Sequence, residues 1–139
     1  MSLIPLGFLF VLTGCGPNLA PVSGRVTLNN KPLVNATVIF EPASDMKNPG
    51  PGSQGKTNEN GEYSLKPFAG AGSGALVGEH VVRITSYEGD DGTVPSSDPN
   101  KTVFRKILVG EKYNTKSTLK FTVPPGGSTS ANFDLQADK

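Results

Sequence analysis

From Val22 to Leu135 the apolar residues come in short runs that alternate with polar ones, and the runs are separated by Gly, Pro and Asn. VSGRVTL (Val22 to Leu28) sets Val22, Val26 and Leu28 on one face and Ser23, Arg25 and Thr27 on the other, the period of two that a half-buried strand requires. Gly24 falls on the inward face, where a strand glycine marks a bulge or a close approach of another backbone. Asn29, Asn30, Lys31 and Pro32 predict a turn, because asparagine accepts left-handed geometry and proline cannot extend a ladder. NATVIFEP (Asn35 to Pro42) predicts a second strand with Ala36, Val38 and Phe40 inward.

The stretch 43–53 holds too few apolar residues to be buried and predicts a loop. In QGKTNENGEYSL (Gln54 to Leu65) two extended pieces flank a turn at Asn58 to Gly61, giving a hairpin that points Tyr63 and Leu65 into the core. A glycine-rich connection, Phe68 to Gly78, leads to GEHVVRITSY, with His80, Val82 and Ile84 on one face. A polar excursion covers Glu88 to Lys101, and Thr102 to Tyr113 has room for one helical turn or a short strand. STLKFTV and SANFDL, joined through Pro124, Pro125, Gly126 and Gly127, predict a terminal hairpin with Leu119, Phe121, Val123, Ala131, Phe133 and Leu135 inward. Six or seven short strands with regularly spaced turns predict an all-β sandwich.

The N-terminal segment follows another pattern. Met1 to Thr13 are uncharged and mostly apolar, too short a run to cross a bilayer comfortably as a mature helix. A cleaved signal peptide accounts for the run better. It closes on Leu12, Thr13, Gly14 and Cys15, the one cysteine of the chain. This quartet resembles the lipobox of bacterial lipoproteins, and the resemblance implies cleavage before Cys15, a diacylglycerol on its thiol and an acylated new amino terminus. Two or more acyl chains make a stable anchor where one binds only reversibly. The pattern departs from the family in one respect: no Lys or Arg precedes Arg25. Gly16 stands where an aspartate retains many such proteins in the inner membrane, which favours the outer membrane over the inner. The expected organisation is a signal peptide over 1–14, a tether over 15–21 and a β-sandwich over 22–136.

At 139 residues the chain suits one domain with a real core, and 17 glycines with 12 prolines suit a loop-rich β protein. A net charge of +1 offers no basic stripe and argues against nucleic acid as a partner.

VSGRVTL, KPLVNATVIFEP, GKTNENGEYSL and VGEHVVRI together resemble the carboxypeptidase-regulatory-like, transthyretin-like β-sandwich. The resemblance implies seven strands in a prealbumin-like (Ig-like) arrangement and an accessory, adhesive or stalk role rather than an activity. Domains of this kind usually carry an aromatic residue where this chain has His80, so a histidine at the sandwich rim is expected there.

Little reactive chemistry is on offer. One His and one acylated Cys cannot build a zinc site, and a nucleophilic triad would have to use His80, which sits beside Val81 and Val82 without an elbow motif. The hydroxyisourate hydrolases of the transthyretin-like fold need a second histidine and a Tyr-Arg-Gly-Ser terminus, and both are missing. Lys31 in a turn and Asn132 on an outward parity are poor partners for an isopeptide crosslink. Glu88, Asp90, Asp91 and Asp98 do not follow a calcium-loop spacing. Six basic residues between Lys101 and Lys120 face one acid, Glu111, and read as a solvated surface. No catalytic residue, metal or cofactor is assigned. The expectation is a non-catalytic protein, held in the envelope membrane through Cys15, with a structural role or contacts to an envelope protein or glycan. The alternative is an accessory module that binds a small solute or polysaccharide beside a transport or degradation system. Sugar faces are usually met by exposed aromatic rings, and the chain has no Trp and three Tyr.

Overall fold

The computed structural model describes residues 18–43, 50, 52–70, 72–87 and 107–138. Cys15, most of the 43–53 loop and the acidic residues from Glu88 to Asp98 lie outside the described residues. The architecture is all-β, with open sheets and one 3-10 turn, Glu111–Tyr113.

The strands are β1 (Leu19–Ala20), β2 (Ser23–Leu28), β3 (Lys31–Pro32), β4 (Thr37–Pro42), β5 (Ser53–Lys56) and β6 (Glu62–Ser64), followed by β7 (Lys66–Pro67), β8 (Ala75–Leu76), β9 (Gly78–Thr85), β10 (Lys120–Val123) and β11 (Phe133–Leu135). One antiparallel sheet runs β10-β9-β4-β5-β7. A second is built around β2, which takes β11 in parallel and β3 and β6 antiparallel. β1 and β8 form a separate two-stranded ribbon.

Alternation does what period two demands. Val38 and Phe40 of β4 and His80, Val82 and Ile84 of β9 are buried, and they meet Val26, Tyr63, Leu65, Phe133 and Leu135 from the second sheet in one apolar cluster. Phe133 lies edge-on to Phe40 and Phe121 at centroid distances of 6.2 and 6.3 Å, an aromatic contact that ties the sheets face to face.

Turn chemistry follows the side chains. Asn29 and Asn30 adopt φ of 51° and 65° in the two-residue connection between β2 and β3. Asn35 also has positive φ, 54°, so β4 starts at Thr37 rather than at Asn35. Asn58 Oδ1 accepts from the Asn60 and Glu62 amides, and Gly61 closes the turn at φ 76°.

Four expectations are corrected. Asn58 N bonds Glu62 O, but the arms then part: β5 joins β4 and β7, while β6 joins β2, so Gln54 to Leu65 is no hairpin. The C-terminal pieces do not pair either. β10 lies on β9, whereas Ser128 bonds to Ser23 and Pro21 and carries β11 across to β2. Alternation fixes which face is buried and says nothing about which edge is taken, and the open edge of β2 captures β11. The Phe68 to Gly78 connection contains β8. Its partner β1 draws Leu19 and a buried Ala20 out of the expected tether, so the paired structure begins at Leu19 and not at Val22.

Gly24 is required by contact. A Cβ there would lie 1.9 Å from the Ala131 carbonyl oxygen, so this inward glycine serves close backbone approach. Gly24→Ala should lower the unfolding free energy by about 3 kcal/mol through overpacking against rigid backbone. Gly126→Ala, with nothing within 4 Å and no positive φ, should change it by less than about 0.5 kcal/mol. Urea titration of both variants checks this, and equal effects would refute the close-approach role.

Candidate functional site

The one ring able to act as a base near neutral pH is buried. The parity of β9 turns His80 inward, where it is 1% exposed and packs on Phe40 with centroids 5.6 Å apart. Its Nδ1 lies 3.0 Å from Gly78 O, which fixes that nitrogen as the N–H donor because a carbonyl can only accept. Burial pushes the imidazole pKa below its ordinary value, and the bond to Gly78 only partly offsets this. His80 therefore does not sit at the rim, as its polarity suggests; it packs against Phe40 inside the core.

Several other polar groups, two of them buried, hold the structure together. Thr57 Oγ1 donates to Leu33 O and accepts from Ala36 N at 2.8 Å, tying the start of β4 to the end of β5. Tyr63 donates its hydroxyl to Ala131 O at 2.6 Å, and burial raises its pKa. Arg83, on the outer face of β9, pairs with Glu41 at 2.9 Å and donates to Asn114 O and Thr115 O, pinning the segment after the 3-10 turn to the sheet.

A cleft of about 640 Å³ is lined by Ser23, Arg25, Lys56, Asn58, Glu62 and Asn132 among others. Some of its polar groups are engaged. Asn58 makes the turn described above, and Asn132 Oδ1 accepts from Arg25 N at 2.9 Å. The guanidinium of Arg25 and the ammonium of Lys56 are the side chains through which this cleft could meet an anionic or hydroxylated solute. No aromatic face is presented for a sugar to stack on, since Tyr63 is buried.

The basic stretch is largely neutralised where it is described. Lys112 pairs with Asp138 at 2.9 Å, Lys116 with Glu111 at 2.9 Å and Lys120 with Glu79 at 3.4 Å. Asn132 is exposed, in keeping with its sequence parity. Lys31 is exposed too, but it stands in β3 paired with Leu28 and not in the expected turn, which is confined to Asn29 and Asn30. No cluster of three or more His, Cys, Asp or Glu capable of holding a metal occurs among the described residues. No helix among them is long and apolar enough to cross a membrane. Sequence reasoning passed over Phe68, a large side chain left 51% exposed beside the β1–β8 ribbon. Its position after Pro67 in a glycine-rich stretch was the available signal.

The histidine imposes a pH dependence whose sign can be worked out. With its folded pKa below the unfolded value of about 6.5, the unfolded state binds the proton more readily. This contribution to stability is intact above that value and is lost as pH falls from it toward the folded pKa. Urea midpoints taken from about pH 7.5 down to about pH 5 should fall more steeply for the wild type than for His80→Phe. Parallel profiles would refute the burial of a neutral ring.

No family model matches the chain, and no curated protein matches it. A crystal structure of a 9R-lipoxygenase from Cyanothece aligns at 16% identity with a TM-score of 0.37, over 86% of this chain. The aligned part is 16% of that enzyme's length, and a likeness of this degree carries no conclusion about fold or activity.

Proposed function

We propose that this chain is a lipid-anchored, non-catalytic β-sandwich protein of the bacterial cell envelope, exported by its N-terminal segment and held at the membrane through an acylated Cys15. The observation that carries the reading is the lipobox-like Leu12-Thr13-Gly14-Cys15, followed four residues later by the first paired strand, β1. From Cys15 to Leu19 an extended chain covers at most about 14 Å, so the domain rests against its membrane. Its role is structural, or one of contact with an envelope protein or glycan. The chain's only imidazole, His80, is sealed in the core and not offered to a substrate in solution.

The finer fold assignment, a seven-stranded prealbumin-like sandwich of the carboxypeptidase-regulatory-like kind, is part of the same proposal. It draws support from the all-β architecture of two facing sheets and from the motif residues Gly24, Asn60, Gly61 and Tyr63 holding structural positions. A second reading, an accessory module for a small solute or polysaccharide, draws on the cleft at Arg25 and Lys56. A glycan array probed with the full chain separates it: binding abolished by Arg25→Ala with Lys56→Ala would favour it.

Metabolic labelling with an alkyne fatty acid tests the anchor. The wild type should be labelled and partition with membranes, and Cys15→Ala should be unlabelled and fractionate with soluble protein. A labelled Cys15→Ala chain would sink the assignment.

A further inference from the structure

Resting on the proposed anchor, we infer that the Phe68 loop is a second membrane contact, which inserts its ring among lipid headgroups and fixes how the domain stands on the bilayer. The topology gathers several exposed features at the end of the molecule where the described chain starts. Asn18 O accepts from Val77 N at 2.9 Å, and Leu19 and Ala20 pair with Leu76 and Ala75, which places the N-terminus on the ribbon that follows the Phe68 loop. Gly50 and Gly52, two residues apart, lie under Leu76 and Phe68 respectively, so both side chains flank the entry to β5. A Cβ on Gly72 would touch Leu19 Cδ1 at 3.3 Å, bringing the same loop against the N-terminal strand.

Phe68 is 51% exposed although the core lies close by. Its amide bonds to Gly52 O, which holds the residue at the edge of β5 instead of letting it fold inward. Ala69, Gly70, Gly72 and Ser73 beyond it are exposed, and Gly70 has open space around it. Lys66, exposed two residues before Phe68, supplies a cation for lipid phosphate. An aromatic ring with a basic neighbour on a projecting loop is the chemistry of an interfacial contact, whose strength scales with the apolar area buried plus attraction to anionic headgroups. Ile107 is also exposed, at 59%, but it bridges to Tyr87 at the far end of β9. Through the pairs Pro67–Ser53, Ser53–Phe40 and Phe40–Val82, Phe68 lies about level with Val81, so six residues of nearly extended chain, about 20 Å, separate its level from Tyr87. An anchor at Cys15 therefore brings Phe68 to the bilayer and keeps Ile107 away from it.

The chain contains no Trp, so single-tryptophan variants report without background. Lipidated full-length Phe68→Trp and Ile107→Trp are reconstituted into phosphatidylethanolamine and phosphatidylglycerol vesicles carrying brominated acyl chains. Trp emission from the first should shift to the blue and be quenched at least about twofold more strongly than from the second. Equal quenching at both positions, or none at position 68 in protein that floats with the vesicles, overturns the docking loop and leaves the anchor standing. Wild-type protein that does not float overturns both. Should Phe68→Trp fail to fold, amide exchange in the unsubstituted chain decides. Slower exchange across 66–74 on vesicles than in Cys15→Ser free in solution supports the contact, and unchanged exchange refutes it.

Discussion

The carbonyl of Ala131 is the point on which the second sheet depends. Gly24 and Tyr63 are cross-strand partners on β2 and β6, and both converge on it: Gly24 by having no side chain, Tyr63 by donating its hydroxyl. Three segments far apart in sequence are thereby held at one spot, and the Ala131 amide adds a bond to Ser23 O. A buried carbonyl without a partner would cost about 1–3 kcal/mol. A methyl at Gly24 would push the C-terminal segment off β2. With that segment displaced, β11 loses its register, and Phe133 loses its place between Phe40 and Phe121.

Around this junction the chain spends polar groups on connections rather than on chemistry. Thr57 ties strand ends, Asn58 shapes a turn, Asn132 caps a backbone amide and Arg83 fastens an irregular segment to the five-stranded sheet. Short strands of two to eight residues leave many backbone groups outside ladders, and side-chain bonds make up the shortfall. In the cleft, Asn58, Asn132 and Tyr63 are committed to the fold in this way.

The two ends of the molecule differ in kind. One gathers the entry of the chain, the β1–β8 ribbon, Phe68 and several glycines; the other carries the β2–β3 turn, Tyr87 and Ile107. In a membrane-held protein this division separates a face turned to the lipid from a face turned outward, where an envelope partner would be met.

Strand identity was legible because period-two alternation is a local property: β2, β4, β9 and the inward sets of β10 and β11 all follow from it. The asparagine turns were legible for the same reason, since Asn29, Asn30 and Asn58 carry their geometry in their own side chains. Pairing was not legible. Whether β6 lies on β5 or β2, and whether β11 lies on β10 or β2, depends on which edge is open once the sheets have formed, a long-range outcome that residue parity does not encode. The same holds for His80 and Phe68. Sequence placed the polar ring on the inward face and could not tell rim from core, and the neighbours that bury it come from other strands. The glycine-rich setting after Pro67 hinted at a loop for Phe68, but the exposure of its ring is what remains after every other strand has packed. The sequence by itself determined the all-β class and the inward faces. Tertiary structure alone decided the partners of each strand, the burial of the one imidazole and the end of the molecule at which Phe68 stands.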